Sequence, residues 1–145
     1  MKIILQRVSK ASVTVDGSEI SAIGKGFLLL VGVSREDSGK EAEALAAKVA
    51  KIRVFEDENG KMNLDIAAAG GDVLSVPQFT LMGDTRKGNR PGFEAAGDPG
   101  KAKELWMDFN EFLRARGVHV LEGEFGAHMD VFLVNDGPVT FILEA

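Results

Sequence analysis

The sequence predicts an α+β fold, in which a largely antiparallel β-sheet or open barrel packs with two main helices in a single domain. Alternating or β-branched runs fill the start and the end of the chain, and two stretches carry apolar residues at helical spacing. The resulting order is strands, helix, strands, helix, strands, which is typical of α+β proteins. The 145 residues suit one domain, because a chain of this length buries roughly two-thirds of its surface on folding. We therefore expect residues 1–145 to form one domain.

The first part of the chain predicts three strands and a helix. Strand patterns occupy residues 3–8, 11–23 and 26–33, and Asp16-Gly17 supplies a turn within the second. The motif from Ser38 to Glu41 is a capping-box pattern, which predicts a helix as far as about residue 52. The positions of this helix that should face the sheet are Ala42, Leu45, Ala46 and Val49.

The middle of the chain predicts a hairpin, a broken strand and a long loop. Residues 52–64 form a hairpin signature around Asn59-Gly60. Residues 71–76 and 78–81 predict strand, which Pro77 interrupts. Residues 83–97 carry no periodicity and predict a loop of a length that tends to be functional in a compact domain.

A second helix follows that loop. Asp98-Pro99 is a cap followed by proline at the first helical position, and Gly117 ends the helix. Its buried stripe is predicted to consist of Ala102, Leu105, Trp106, Phe109, Phe112 and Leu113.

Three strand patterns finish the chain, at residues 118–125, 130–135 and 139–145. Asp136-Gly137 favours a two-residue hairpin loop between the last two. Pro138 then removes a backbone donor where the second strand should begin to pair. Either this is an ordinary turn that tolerates a proline, or a Gly-Pro pair is displayed for a purpose.

Composition excludes several classes of protein. The chain has no cysteine, which excludes disulfides, thiolate nucleophiles and cysteine-ligated zinc and fits a reducing compartment. The net charge of −5 argues against a protein that holds nucleic acid mainly by bulk attraction to phosphates. No run of 18 apolar residues occurs and the N-terminus lacks the features of a signal peptide, so we expect no membrane association and a cytoplasmic location.

The common catalytic signatures are absent. The two histidines, His119 and His128, do not fall in a metal-binding spacing, and no GxSxG motif occurs. Gly39-Lys40 lacks the spacing and the Ser or Thr of a phosphate-binding loop. If the chain is an enzyme, backbone groups, hydroxyls and amides remain as its catalytic equipment.

Three stretches together carry a family resemblance. They are QRVSKASVTVDG at residues 6–17, PQFTLMGDTRKGNRPGF at 77–93 and FGAHMDVFLVNDGPVT at 125–140. In this order and spacing the chain closely resembles the D-aminoacyl-tRNA deacylases, over essentially its whole length. The resemblance implies a homodimeric editing enzyme, with its active site at the subunit interface, that hydrolyses the ester joining a D-amino acid to the 3′ end of tRNA. It also implies removal of glycine from tRNA and no metal or other cofactor.

The resemblance also assigns the two walls of a site. Gly137-Pro138 corresponds to the family's cis Gly-Pro pair, which reaches into the partner subunit's site and occupies the space that an L side chain needs. Gln78, Phe79 and Thr80 form the other wall, where amide groups stabilise the oxyanion of ester hydrolysis. One such donor is typically worth ~3 kcal/mol. The 2′-hydroxyl of the terminal adenosine is expected to help activate water.

The remaining assignments have plainer alternatives. Arg7 matches the arginine that braces the Gly-Pro pair, and Phe125 and Met129 match pocket-lining residues. Arg7 could instead be an exposed strand residue or half of a surface ion pair worth little. Thr80 fits a strand on propensity alone, and Phe79 and Met129 would suit any core. The basic side chains expected to contact tRNA phosphates could instead belong to a solvated loop. They are Arg86, Lys87 and Arg90.

One position departs from the family pattern. Pro77 stands where the family usually has serine, and Ser75 lies two residues earlier. Proline deletes the hydroxyl and the N–H at that position. One alternative is therefore a relaxed-specificity deacylase acting mainly on glycyl- or L-alanyl-tRNA. A catalytically silent dimer that binds RNA ends is another, although the acidic charge counts against it.

Overall fold

A computed structural model describes all residues from 1 to 145. Its strands are β1 (Lys2–Val15), β2 (Ser18–Ile23), β3 (Gly26–Gly32), β4 (Phe55–Glu56), β5 (Met62–Leu64), β6 (Asp72–Pro77), β7 (Val120–Glu122) and β8 (Asp130–Glu144). Its helices are α1 (Gly39–Lys51), α2 (Ile66–Ala69) and α3 (Pro99–Ala115), with a 3₁₀ helix at Phe79–Met82. The predicted α+β fold with two main helices is confirmed.

The long strand β1 organises the antiparallel part of the sheet. Along one side, residues 2–8 pair with β3 and residues 11–15 pair with β2. Along the other side, β1 pairs with β8 between residues 2 and 14. Alternate β1 residues are buried, as period-two patterning predicts for a strand with one face on a core.

The rest of the sheet is parallel. β3 pairs with β6, and β6 pairs with β7, both in the parallel sense. β3 and β6 are buried on both faces, which explains their continuous apolar runs. At the far edge the Ser21 hydroxyl of β2 donates to the Glu122 carbonyl of β7 at 2.8 Å, so the sheet curls into a nearly closed barrel. The sheet is therefore mixed, with parallel pairs that the strand patterns alone did not specify.

Both main helices begin where the sequence predicts. Ser38 and Glu41 form the reciprocal capping box, and the Asp98 carboxylate accepts the Gly100 N–H at 3.1 Å. α1 and α3 pack against one face of the sheet, where they share the larger hydrophobic core with its side chains. Of the predicted α3 stripe, only Phe112 remains half-exposed. None of the helices has both the length and the apolar composition needed to span a lipid bilayer.

Three smaller predictions are settled as well. The hairpin around Asn59-Gly60 is confirmed as β4 and β5, and residues 83–97 form a loop without helix or strand. The short helix α2 was not predicted, although Asp65 caps it by accepting the Ala68 N–H at 2.9 Å. Near the C-terminus, β7 covers only part of the predicted strand at 118–125.

Two strand predictions are wrong. Residues 79–82 form a 3₁₀ helix instead of a strand. The expected hairpin at residues 136–137 does not form either, because β8 runs on without reversing from Asp130 to Glu144. Its partner β1 is long enough to pair with both halves, so the chain around Pro138 accommodates a bulge rather than a turn.

Candidate active site

An open pocket of about 290 Å³ lies between the 3₁₀ helix and the connection from β7 to β8. Gln78 and Phe79 line one wall, and Phe125 and Met129 line the other. The pocket thus brings together four predicted site residues from segments some 45 positions apart in sequence. The remaining lining residues are Val76, Pro77, Gly126, Ala127, His128 and Val131.

The first wall is placed by the end of β6. The Gln78 N–H makes the last sheet bond there, to the Val31 carbonyl at 2.8 Å, and the chain then turns into the 3₁₀ helix. That helix lies directly over Gly32, where an added Cβ would be 2.9 Å from Leu81 Cβ. A strand continuing past Pro77 would not make this contact. Close packing against a glycine therefore overrides the strand propensity of residues 78–81.

The groups on this wall are polar and accessible. The Gln78 side-chain amide donates a hydrogen bond to the Thr80 hydroxyl. Thr80 is exposed but does not itself line the pocket, and the Phe79 ring is 59% exposed. The first amides of a helix have no intrahelical acceptor, so the N–H groups of Phe79 and Thr80 are donors without a partner in the helix.

The second wall is rigidly supported from behind. Phe125 packs against Trp106 of α3 with 6.0 Å between ring centroids, and the Trp106 indole N–H donates to the buried Ser75 hydroxyl at 2.9 Å. Met129 fits because position 123 is glycine, where a Cβ would lie 2.9 Å from the Met129 sulfur. The apolar wall therefore depends on contacts with both α3 and β6.

Gly137 and Pro138 project from β8 in a wide bulge. Val8 pairs with Asn135 and Gln6 pairs with Thr140, so the single residue Arg7 faces residues 136–139 of β8. The Gly137-Pro138 peptide bond is cis, and both residues are exposed. Gly137 has φ +140°, a backbone conformation that L side chains rarely adopt.

Arg7 holds one side of this bulge. Its guanidinium is buried and donates from Nε to the Asp136 carbonyl at 3.0 Å and from Nη1 to the Val54 carbonyl at 2.6 Å. The Asp136 and Glu56 carboxylates lie further away, at 3.4 and 4.0 Å. The buried Arg7 side chain therefore links β8 to the segment before β4 by hydrogen bonds, and Arg7 is not an exposed strand residue.

Asn135 holds the other side, and sequence reasoning did not single it out. Its side-chain oxygen accepts the Val139 N–H at 2.7 Å, and its amide nitrogen donates to the Thr140 hydroxyl at 2.9 Å. The side chain therefore substitutes for sheet bonds that the bulge interrupts. The available signal was the tendency of asparagine to bond nearby backbone in turns and irregular strands.

The structure does not bring the two predicted walls together within one chain. Arg7, Gly137 and Pro138 do not line the pocket that holds Gln78 and Phe79. Arg7 instead lines a small polar depression of about 180 Å³ shared with Lys25, Glu56 and Asp136.

The predicted basic cluster lies on the loop of residues 83–97. Backbone hydrogen bonds between Asp84 and Gly92, at 2.8 and 2.9 Å, close the part of the loop that carries these residues. Arg86, Lys87 and Arg90 are all exposed there. The Asp84 carboxylate accepts two-pronged hydrogen bonds from the Arg86 guanidinium and a further one from its backbone N–H, which lower the pKa of Asp84 to about 2. The same carboxylate raises the pKa of Arg86.

No group of three or more His, Asp or Glu side chains in the chain is arranged to hold a metal ion. His119 is exposed and has only Asp72 beside it, at 3.2 Å, whereas His128 lines the pocket. Amide donors on one wall and apolar side chains on the other suit an ester hydrolase that stabilises a developing oxyanion with backbone and amide groups. Such a hydrolase is the class of protein that the pocket suits best.

Comparison with known proteins gives the family. A profile described as D-Tyr-tRNA(Tyr) deacylase matches residues 4–144. Proteins named D-aminoacyl-tRNA deacylase are 58% identical in Thermomicrobium roseum and 54% identical in Symbiobacterium thermophilum, each over 145 residues. These alignments cover 100% of this chain and 94% and 96% of the relatives. The chain therefore belongs to the D-Tyr-tRNA(Tyr) deacylase family of aminoacyl-tRNA ester hydrolases, as the three stretches of sequence predicted.

Solved structures agree on the fold. One described as a c-Myc DNA unwinding element binding protein is 44% identical, with a TM-score of 0.93 over 100% of this chain and 99% of its own. Another, described as a probable eukaryotic D-amino acid tRNA deacylase, is 20% identical with a TM-score of 0.82 over 99% and 98%. The second likeness bears on the fold alone.

Proposed function

We propose that this protein hydrolyses the ester that joins a D-amino acid to the 3′ end of tRNA, releasing the free amino acid and the tRNA. It acts as a homodimer of one-domain subunits, in which Gly137-Pro138 of one subunit enters the pocket of the other. The observation that carries the proposal is the separation of the two walls: the pocket and the Gly-Pro bulge are both exposed, and they do not meet within one chain.

The outer edge of β8 supports the dimer. β8 pairs with β1 alone, so a strand of 15 residues has one side without a partner in the chain. Four of its large apolar side chains are exposed, namely Phe132, Val134, Phe141 and Ile142. An open strand edge and a cluster of exposed apolar side chains are each typical of a protein–protein interface. The bulge lies between these two pairs, so pairing along β8 places Gly137-Pro138 inside the interface.

The Gly-Pro bulge accounts for selection between D- and L-amino acids. Backbone carbonyls of the bulge accept hydrogen bonds from the substrate's α-amino group and occupy the volume that an L side chain needs. A D side chain points away from that volume. Specificity then arises from a clash against the wrong substrate, and glycine escapes it because it has no side chain.

The chemistry uses the opposite wall. Water attacks the ester carbonyl, and the Phe79 and Thr80 N–H groups with the Gln78 amide donate to the resulting oxyanion, each donor being worth ~3 kcal/mol. The 2′-hydroxyl of the terminal adenosine relays a proton from the water to the departing 3′-oxygen. Arg86, Lys87 and Arg90 contact phosphates near the acceptor end. Because charged tRNA is the substrate, the protein acts in the cytoplasm.

A second candidate rests on Pro77, which lines the pocket beside Gln78. The position has neither the hydroxyl nor the N–H that serine would place there. Relaxed specificity, with hydrolysis of glycyl- or L-alanyl-tRNA, follows if that hydroxyl contributes to the chirality filter.

The activity is tested by deacylation of one tRNA charged in parallel with D-tyrosine, L-tyrosine and glycine. Loss of the D-ester and the glycyl ester with the L-ester intact supports chiral editing, and hydrolysis of L-esters as well moves the protein to the relaxed class. No hydrolysis of any ester leaves a dimer that only binds RNA ends.

The shared site is tested by mixing two impaired variants. Pro138→Ala alters the bulge and should lose discrimination against the L-ester, whereas Gln78→Ala removes a side-chain donor to the oxyanion and should hydrolyse every ester slowly. In a mixed dimer, one of the two sites combines an intact pocket with an intact bulge, so excess Gln78→Ala protein should restore discrimination to the Pro138→Ala protein. If subunit exchange leaves the ratio of D-ester to L-ester hydrolysis unchanged, the site lies within one chain and the dimeric proposal is wrong.

A further inference from the structure

A second cavity adjoins the first. The two share Phe79, Phe125 and Gly126, and the second has a volume of about 710 Å³ against about 290 Å³ for the first. The second volume lies in the middle of the range of roughly 300–1,000 Å³ typical of pockets for small organic ligands, and the first lies at its lower limit. A ligand that extends out of the first cavity past Phe79 therefore enters the second.

Two exposed phenylalanine rings face this cavity. Phe79 is 59% exposed and Phe93 is 38% exposed, and their ring centroids are 5.2 Å apart at an interplanar angle of 58°. Phe93 is held in place by close packing over Gly83, where an added Cβ would lie 3.1 Å from the ring. Fixed, exposed aromatic faces are what proteins use to stack the bases of single-stranded nucleic acid.

The polar groups around the cavity favour stacking over hydrogen-bonded recognition of a base. The Asp98 carboxylate is engaged in capping α3, and the Arg35 carbonyl accepts from Lys101 at 2.8 Å. By contrast, the exposed guanidinium of Arg35 makes no hydrogen bond or ion pair within the chain. The cavity therefore offers apolar faces for a base and a free cation for a phosphate, which suits sequence-tolerant binding.

We propose that this second cavity receives the nucleobase immediately 5′ of the aminoacylated nucleoside. The base stacks on Phe93, the Phe79 ring tilted at 58° to it forms the adjoining wall, and Arg35 contacts the phosphate that connects the two nucleosides. The inference rests on the proposed deacylase function and adds a binding site for a second nucleotide of the same substrate. The first cavity then holds the aminoacyl ester, and the basic side chains on the 83–97 loop meet phosphates further along the strand.

The test compares two substrates that differ only in this nucleotide. One is D-tyrosyl-tRNA, and the other is the D-tyrosyl ester of adenosine, which lacks everything 5′ of the terminal nucleoside. In Phe93→Ala one base-stacking contact is lost. The ratio of the KM for D-tyrosyl-tRNA to the KM for the adenosine ester should therefore rise about tenfold. Phe93→Tyr keeps a flat ring and should restore the ratio, whereas Phe93→Leu should not. Met107→Ala, at an exposed position of α3 outside both cavities, is the matched control.

Three results would contradict the inference in different ways. An unchanged ratio in Phe93→Ala means that the base 5′ of the terminal nucleoside does not occupy the cavity. A loss that appears with tyrosyl esters of both tRNA and adenosine, but not with glycyl esters, means that the cavity holds the amino acid side chain instead. Failure of the unaltered protein to hydrolyse either D-tyrosyl ester overturns the deacylase function itself, and with it the inference.

Discussion

At the scale of single residues, Arg7 depends on the shape of its side chain as much as on its charge. The planar guanidinium reaches two backbone carbonyls that lie in different segments, those of Asp136 and Val54. A lysine ammonium is a point charge without this fixed fork, so it cannot satisfy both carbonyls in the same way. The position that β8 gives to the Gly-Pro bulge therefore depends on arginine.

We predict that Arg7→Lys lowers the free energy of unfolding by about 1.5–3 kcal/mol, the range for one hydrogen bond to a charged group. Arg7→Ala should cost more, because it also leaves a cavity in a buried site. Urea denaturation monitored by circular dichroism measures both. Arg53→Lys is the control, since Arg53 is exposed and makes no hydrogen bond or ion pair within the chain. Equally small changes in the free energy of unfolding for Arg7→Lys and Arg53→Lys would show that the Arg7 side chain does not link the two segments.

The pKa of the Asp84 carboxylate reports on a contact within the loop of residues 83–97. Hydrogen bonds from Arg86 stabilise the ionised carboxylate and lower its pKa from 3.8 to about 2. A depressed pKa contributes stability above the unfolded-state value, and that contribution is lost as the pH falls through the folded-state value. The loop contact should therefore be intact at neutral pH and weaken only between about pH 4 and pH 2.

NMR titration of the Asp84 carboxyl carbon checks this prediction. The signal should titrate near pH 2 in the unaltered protein and return toward 3.8 in Arg86→Ala. Arg90→Ala serves as the control, because Arg90 makes no contact with Asp84. An Asp84 midpoint that stays near 3.8 in the unaltered protein would show that the pair does not form in solution.

At the scale of elements, the 3₁₀ helix depends on a glycine in a neighbouring strand. Position 32 has almost no room for a Cβ, which would lie 2.9 Å from Leu81 Cβ and Met82 Cε and 3.1 Å from the Gln78 carbonyl oxygen. Any larger residue must push the 3₁₀ helix away from β3. The amide donors of Phe79 and Thr80 would move with it.

We predict that Gly32→Ala reduces kcat for D-aminoacyl-tRNA by at least about tenfold, because displacement of a donor from the oxyanion costs a few kcal/mol. Steady-state deacylation with a parallel melting curve separates this effect from unfolding. Gly24→Ala is a matched control, since an added Cβ there meets nothing within 4 Å. If both substitutions leave kcat unchanged, the 3₁₀ helix does not carry the donors.

The elements that the sequence predicted correctly are those with local signals. Ser38 and Glu41 cap α1, and Asp98 and Pro99 begin α3, because the relevant partners lie within one helical turn. The 3₁₀ helix at 79–82 was missed because its cause, Gly32, lies nearly fifty positions away in sequence. The bulge of β8 was missed because pairing with β1 outweighs the local turn preference of Asp136-Gly137.

Local sequence signals were also too few to predict the candidate site. Sequence patterns alone left Phe79 as a possible core residue and Gly137 as a possible turn residue, and the family resemblance was needed to connect them. Asn135 was not identified because its role depends on the width of a bulge that only the pairing register defines.

At the scale of the whole molecule, the proposed dimer associates through the open edge of β8. Ile142 is the most exposed of the large apolar side chains, at 67%. It lies beyond the bulge, in the C-terminal half of β8. We predict that Ile142→Asp converts the proposed dimer to a monomer, because burial of a charge at an apolar interface is unfavourable without a partner. Sedimentation velocity should show the change together with loss of D-ester hydrolysis.

Ile20→Asp is the matched control, since Ile20 is 45% exposed on β2, which lies on the opposite side of β1 from β8. It should leave both the sedimentation coefficient and the activity as they are. Full activity in a monomeric Ile142→Asp protein would show that one chain holds a complete site.

The bulge has a consequence for solubility as well. A flat strand of this length with one unpaired edge is a template on which further chains can add one after another into fibrils. Here the two halves of β8 follow different registers on β1, and Pro138 has no N–H to offer an incoming strand. An arbitrary strand can therefore pair with only half of the edge, whereas a second copy of the same chain brings a bulge that matches it. In the proposed dimer, the feature that provides the Gly-Pro pair therefore also favours a closed pair over continued addition of chains along the longest exposed edge.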